Sequence, residues 1–463
     1  MAYLTAQIKN IINDSVKDAL GKNYAPTKTE TSDVVSLGKQ ISNFNAYEGF
    51  FGALVNRIVK TVYFVRTYEG SERSVLRDEH EYGAFVQKVY YNLPDAVDNP
   101  TWNIPDSGTG LYTQASPYDV ATAVGVSSLI YGGKGTWSIE IIRPIEQIKT
   151  AFLDTESMMA FIDGIYVTVE NAFKLEEERL VAQAVNTAMA ASLDGGIARN
   201  LLAEYNDKYS QSLTVASALV SADFLRYASK EINRTVDNMG KMSTAFNKAG
   251  YPTFTSRDKM VVEMLAEFAS ASDMYLQSDT FHDELTALPN YEKVPFWQAS
   301  GKNFAFTDCS KINIEHDDLD NDIAQDGIIC FIHDIENVAA YFGNRRAWEM
   351  VNPRSEVVIH GEKAEKGFAV DSHANAEVFY LGTAGTATVS AGSNGSATGS
   401  TNKAYRGNIL TVTCTPSDGY EVDNVYVGSD TDDKLDKIDA THYAYRFPSD
   451  SNVTINVTFK SAT

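Results

Sequence analysis

From Thr155 to Leu193 the chain runs without a proline and with a single internal glycine, Gly164. Met158, Ile162, Ile165, Val169, Ala172, Phe173, Leu180, Ala184 and Ala188 recur at the spacing of one helical face. Asp154 or Thr155 can cap the start, Glu156 stands in the first turn, and Gly195-Gly196 closes the run. A helix of this length spans on the order of 50 Å. That is several times the length of an ordinary globular helix, so it is expected to act as a strut. Glu176-Glu177-Glu178 is expected to form a solvated face, with a row of salt bridges between subunits as the alternative.

Two strand-like runs precede the strut, Val59–Tyr68 (VKTVYFVRTY) and Thr136–Ile145 (TWSIEIIRPI), both rich in β-branched and aromatic residues. The chain between them is polar and broken by Gly70, Gly83, Pro94, Pro100, Pro105, Gly108, Gly110, Gly132, Gly133 and Gly135. Phe85–Tyr91 and Val120–Tyr131 are short apolar pieces within it. The pattern predicts one long excursion that leaves a sheet and re-enters it, with little periodicity from which to build its own core. Such loops are usually functional or mobile. This one is expected to lie across a neighbouring subunit, and to be cut by protease in free subunits but spared in an assembly.

Residues 1–57 combine an amphipathic helix (Leu4, Ile8, Ile11, Ile12, Val16) with a polar stretch and a second apolar run, Tyr47–Ile58. Beyond the strut, about 200–340 reads as alternating helices and strands. Ser221 can cap a helix running to Met239, with Gly240 after it, and Met260–Ser270 reads as a second helix. Lys293–Trp297 and Phe304–Phe306 are short strand candidates, and Ile328–His333 reads as a buried strand. Val338–Phe342, Trp348–Val351, Glu356–His360 and Glu377–Leu381 follow as β-runs.

Composition shifts after Leu381. Gly382–Asn402 is dominated by Gly, Ala, Ser and Thr. Leu410, Val412 and Cys414 then alternate with threonines, and Tyr443, Tyr445, Phe447 and Val453, Ile455, Val457, Phe459 repeat the period of two. Pro416 and Asp418-Gly419 supply turns. A separate β domain is expected at 383–463.

The 61 acidic residues against 39 basic ones leave a formal charge of −22. This disfavours a tight nucleic-acid surface, which needs clustered Lys and Arg. It fits a protein that encloses DNA without adhering to it, and equally one kept soluble by its charge. The first twenty residues carry Lys9, Asp14, Lys17 and Asp18 and no unbroken apolar core, so the chain is expected to fold in a cytoplasm. Three dispersed cysteines, Cys309, Cys330 and Cys414, argue against a disulfide framework or a zinc site and for small buried hydrophobes.

No catalytic motif stands out. Gly132-Gly133-Lys134-Gly135-Thr136 has the wrong spacing for a phosphate loop, and Gly108-Thr109-Gly110 lacks the third glycine of a dinucleotide turn. Neither a zincin helix nor a nucleophile elbow occurs. Asp318, Asp320 and Asp322 alternate as calcium-loop ligands do, yet Ile323 replaces the loop glycine and Ile329 the closing glutamate. They are expected to be a solvated loop, with weak cation binding as the alternative, and Asp430, Asp432 and Asp433 read the same way. His316 and His333 lie near carboxylates without a nucleophile at a recognisable spacing. The chain is expected to be no enzyme and to need no cofactor.

The order of N-arm, strand, polar excursion, return strand, strut, α/β region and closing strands resembles the α+β shell fold of tailed-phage and herpesvirus capsid proteins. Tyr82–Pro94 through Glu156–Met189, and Gly327–Tyr380 with FIHDIENVAAYFGNRRAWEMVNPRSEVV at its centre, look most like the major capsid proteins of small short-tailed phages. The resemblance implies a capsid shell domain over 1–382. Within it 1–57 is the N-arm, 69–135 the extended loop, 155–193 the spine helix and about 200–340 the axial domain. Residues 59–68 with 136–150 and 338–381 make the peripheral domain. The segment 383–463 resembles a bacterial surface-protein repeat or immunoglobulin-like module, through Leu410–Pro416, Gly419-Tyr420, Tyr445-Arg446-Phe447 and Val453–Phe459.

The resemblance implies a major capsid protein that self-assembles through pentamers and hexamers into an icosahedral or prolate head around double-stranded DNA. A portal is an implied partner. A separate scaffolding protein is expected, since only a short region precedes the first peripheral strand. The C-terminal domain is expected to face outward and to bind a host surface or glycans. Some relatives cross-link their shells through a Lys–Asn bond; Lys88 or Lys134 would be the lysine here, but no partner motif accompanies either. A bacterial surface or adhesion protein and an encapsulin-like compartment shell are the alternatives.

Overall fold

The computed structural model describes residues 14–18, 76–77, 85–91, 93, 126–132, 135–145, 155–277, 291–298, 308–315 and 322–462. The strand expected at 59–68, the strand candidate at 304–306 and most of the N-arm and excursion lie outside them. Of the N-arm helix, 14–18 is helical and Val16 is buried.

The body runs in chain order through β1 (Leu76–Arg77), β2 (Phe85–Tyr91), β3 (Val126–Gly132), β4 (Gly135–Pro144), α1 (Thr155–Asp194), β5 (Ala198–Asn200), α2 (Leu201–Lys208), α3 (Val215–Ala218) and α4 (Ala222–Met239). It continues through β6 (Met260–Leu265), α5 (Ala266–Gln277), β7 (Glu292–Val294), β8 (Ile312–Ile314), β9 (Ile323–Gln325), β10 (Ile328–Asp334), β11 (Val338–Asn352), β12 (Val357–Val370) and β13 (Ala376–Tyr380).

Two sheets share the strut. One has the order β1-β11-β12-β4 and is dominated by the long antiparallel hairpin β11–β12. The return strand β4 pairs antiparallel along β12, from Val357↔Pro144 to Lys366↔Gly135. The other sheet has the order β5-β13-β10-β6-β7. Its central strand β10 is buried at every position, as a strand covered on both faces must be. One face carries the C-terminal half of α1, with Leu180, Ala184, Ala188 and Leu193 against Phe331, Val378 and Leu265. The other face carries α2, α4 and α5 through Leu202, Phe224, Ile232 and Phe268.

Helix α1 covers 40 residues, roughly 60 Å of rise. It ends in a Schellman turn. Gly196 takes φ +71, Gly196 N–H donates to Leu193 at 3.1 Å, and Ile197 N–H donates to Ser192 at 2.8 Å. The single apolar stripe changes character toward this end, because residues 184–190 are buried all round. Here the helix passes between the five-stranded sheet and a layer built from Trp297 and Ile312. The buried Asn186 is satisfied by donating to the Trp297 carbonyl at 2.8 Å.

Three readings of the sequence need correction. Met260–Leu265 is a strand, not the start of a helix: with the β-branched Val261 and Val262 it pairs with β10, and the helix begins only at Ala266. Val338–Phe342 and Trp348–Val351 are one strand, interrupted by a bulge between Gly343 and Arg346. Ala376–Tyr380 does not lie beside the long hairpin that precedes it but pairs with β10 and β5 in the five-stranded sheet. By contrast, Ser221 accepts the Phe224 N–H and Gly240 closes α4, where the turn chemistry places them.

The C-terminal domain is all β, with β14 (Gly385–Ala391), β15 (Gly395–Gly399), β16 (Lys403–Ala404), β17 (Ile409–Pro416), β18 (Tyr420–Val427), β19 (Asp436–Lys437), β20 (His442–Arg446) and β21 (Val453–Ser461). They form two four-stranded sheets, β16-β14-β21-β18 and β15-β17-β20-β19. Leu410, Val412, Cys414, Phe447, Ile455 and Val457 fill the space between them. Among the described residues no helix is long and apolar enough to cross a membrane.

Candidate assembly surface

The strut is locked to the hairpin sheet by aromatic and ionic contacts. Phe173 is fully buried, with Trp137 of β4 at 4.8 Å and Phe342 of β11 at 5.9 Å between ring centroids. The Arg345 guanidinium lies 3.5 Å over the Phe173 ring and pairs with Glu362 at 2.6 Å and Glu170 at 3.6 Å. Glu176, expected in a solvated face, pairs with Arg179 at 2.6 Å and reaches Lys366 of β12 at 3.7 Å.

The excursion returns to its own body as the ribbon β2–β3, paired from Phe85↔Gly132 to Tyr91↔Val126. Strand alternation sends Lys88 and Tyr90 inward and Gln87, Val89 and Tyr91 outward. The inward face is polar. Lys88 Nζ reaches Asp371 at 2.9 Å and Glu336 at 3.2 Å, and Tyr90 OH donates to the same Asp371 oxygen. Tyr90 also stacks on His373 at 4.3 Å, and Tyr251 OH donates to the Tyr91 carbonyl at 2.6 Å. Burial would raise the Asp371 carboxyl, but hydrogen bonds from Tyr90, Lys88 and the His373 N–H outweigh it and hold it below its ordinary value.

The outward face carries exposed apolar side chains beside the polar Gln87 and Ser128: Val89 is 47% exposed, Tyr91 66% and nearby Leu93 54%. Ionic contacts thus face the body, while Val89 and Tyr91 face water. The expectation that this excursion lies across a neighbouring subunit is corrected to this extent: Lys88, Tyr90 and Tyr91 hold the ribbon to its own body, and Val89, Tyr91 and Leu93 are exposed.

A second ionic cluster lies under the five-stranded sheet. Arg199 forks onto Glu204 at 2.9 and 2.5 Å and touches Glu231 at 2.9 Å. Burial pushes Glu377 up to about 7, against the opposing pull of Arg199 and Thr235. In the hairpin sheet, burial together with Arg143 lowers His360 to about 4.

The candidate metal ligands are not brought together by anything the structure shows. Asp322 is exposed beside β9, while Asp318 and Asp320 lie outside the described residues. Among the described residues no group of three His, Cys, Asp or Glu converges as metal ligands would. His333 is buried, stacked on Phe331, with Nδ1 on the Asp334 carbonyl at 2.9 Å. Cys330 and Cys414 are buried and Cys309 is half-buried. Lys88 is engaged by two carboxylates, and Lys134 lies outside the described residues. The sequence reading missed Asp371, Tyr90, His373 and Arg345. No local motif marks any of them, because their partners are distant in the chain.

A 40-residue rod shared by two sheets, beside a ribbon that leaves Val89 and Tyr91 exposed, frames the subunit. A family model described as Phi29-like phage major capsid protein matches residues 12–380, and one described as a divergent InlB B-repeat domain matches residues 385–463. The chain belongs to the Phi29-like phage major capsid protein family and carries an InlB-type repeat domain at its C-terminus. It is a major capsid protein and a component of the virion.

Solved structures with which it shares similarity include the capsid of Staphylococcus phage Andhra (10% identity, 66% of this chain and 83% of that one, TM-score 0.44). The native bacteriophage P68 head fiber and inner core structure gives 10% identity over 66% and 83%, with a TM-score of 0.42. The capsid of cyanophage P-SCSP1u gives 12% over 66% and 86%, with a TM-score of 0.38. No curated protein matches the chain.

Proposed function

We propose that copies of this chain close through pentamers and hexamers into a head around packaged double-stranded DNA, and that the outward face of the β2–β3 ribbon is covered by the next copy. In this reading the ribbon belongs to the extended loop, α1 is the spine, the hairpin sheet is the peripheral domain and the five-stranded sheet with its helices is the axial domain. The carrying observation is the exposed apolar row Val89, Tyr91 and Leu93, on a ribbon whose opposite face is fixed by Lys88 and Tyr90. A capsid subunit meets different neighbours through different patches, so its contacts are heterologous and close into rings.

The subunit is structural and carries no catalytic step. The net charge of −22 lets DNA slide past a wall that does not hold it. An apolar edge exposed before the shell closes favours aggregation, which suits a separate scaffolding protein present during assembly in the host cytoplasm, with a portal at one vertex. The InlB-type domain faces outward, where a weak host-surface or glycan ligand would meet it. Val89→Asp with Tyr91→Asp tests the reading, because both side chains are exposed and the subunit keeps its fold. Electron microscopy is expected to show dispersed subunits. Closed shells at the unsubstituted yield would refute the proposal.

A further inference from the structure

The C-terminal domain is joined to the body by a short connection, Leu381 to Ala384, between β13 and β14. A connection of this kind would allow a pendant module. Three sets of contacts oppose that. Asp450 accepts from Tyr380 OH at 3.0 Å, from Arg406 N–H at 2.9 Å and from Asn200 Nδ2 at 2.9 Å. Asn200 is itself fully buried and works at both ends: its Oδ1 caps α2 through Ala203 N–H at 3.0 Å and also accepts the Gly382 N–H at 3.1 Å. A Cβ on Gly382 would stand 2.9 Å from Asn200 Nδ2 and 3.0 Å from Asp450 Oδ2, so the connection passes with no room to spare. Farther out, Asp207 at the end of α2 meets Tyr405 OH at 3.3 Å and Lys403 Nζ at 3.4 Å.

The third set concerns the strut. Its last turn carries no basic residue. Arg406 donates instead to the Leu193 carbonyl, bringing a positive charge to the negative end of the helix from 213 positions away. We infer that the C-terminal domain is a fixed clasp on the carboxyl end of the spine helix, with Asp450 as its keystone and Arg406 as a cation on the helix's last carbonyls, beside Lys248, which pairs with the Asp194 carboxylate at 2.5 Å. Strand direction then decides which end points away. β14 and β17 leave the docked end at Gly385 and Ile409, so the turns at 392–394, 416–419 and 438–441 lie at the opposite end.

The inference concerns the single subunit and stands apart from the shell reading. Amide hydrogen exchange on the full-length protein tests it. Gly382 and Arg406 N–H should be protected, and Asp450→Ala should speed both at least tenfold while Phe331 in β10 stays unchanged. If Asp450→Ala also releases Phe331, Arg406→Gln decides: Gly196 and Ile197 at the helix end should then exchange several-fold faster. Unprotected Gly382 and Arg406 amides in the unsubstituted protein would overturn the inference, as would unchanged helix-end exchange in Arg406→Gln.

Discussion

Lys88 and Asp371 stand 283 positions apart in the chain and 2.9 Å apart in space. The lysine is partly exposed and the carboxylate nearly buried. The two partners are therefore unequal. Lys88→Ala removes two partly solvated ion pairs, to Asp371 and Glu336, together worth about 1 kcal/mol. Asp371→Ala removes at one stroke the acceptor shared by Lys88, Tyr90 OH and the His373 N–H, at about 2–3 kcal/mol. Thermal unfolding of the two variants should show the larger loss for Asp371→Ala; equal losses would mean that the clasp is not centred on that carboxylate.

Two aromatic rings lie across glycines in the long hairpin. Trp348 covers its cross-strand partner Gly361, and Tyr341 covers Gly367, each filling the place of a Cβ. Gly361→Ala should cost about 1–3 kcal/mol by overpacking. The cost should largely vanish when Trp348→Ala is combined with it, which a double-mutant cycle reads directly. Additive losses would show that the ring and the glycine are independent.

The buried acid and the buried imidazole give opposite pH slopes. Glu377 keeps its proton up to about 7 in the fold, whereas the unfolded chain releases it near 4.5. Stability therefore falls as pH rises through that window, by roughly 3 kcal/mol. His360 stays neutral down to about 4, whereas the unfolded chain takes up a proton below 6.5, so its contribution is lost as pH falls. Glu377→Gln should leave a Tm that climbs from about pH 4.5 to 6.5. His360→Gln should leave one that declines over the same range. Parallel pH profiles in both variants would contradict these assignments.

What could be read from the chain follows from locality. The strut, the α4 caps at Ser221 and Gly240, and the alternating strands of the C-terminal domain are signalled within a few residues, by periodicity and turn chemistry. Met260–Leu265 reads as a helix from its sequence because a short, mostly apolar run, broken only by Glu263, has no period that separates a buried strand from a helix. The all-round burial of residues 184–190 was hidden for a related reason: small residues such as Ala184, Ala188 and Ala190 suit a one-sided helix and a sandwiched one equally. Lys88 with Asp371, Arg345 with Glu170, and Asn200 with Asp450 leave no local trace at all. Each is a polar residue whose partner is set only by the finished topology.

The row Val89, Tyr91 and Leu93 carries the account, because it is where one copy is proposed to end and the next to begin. A cryo-electron microscopy map of the assembled head measures this directly. These three side chains should pack against a neighbouring subunit, with Lys88 and Asp371 still joined behind them. A map in which all three face open solvent on the finished shell would contradict it.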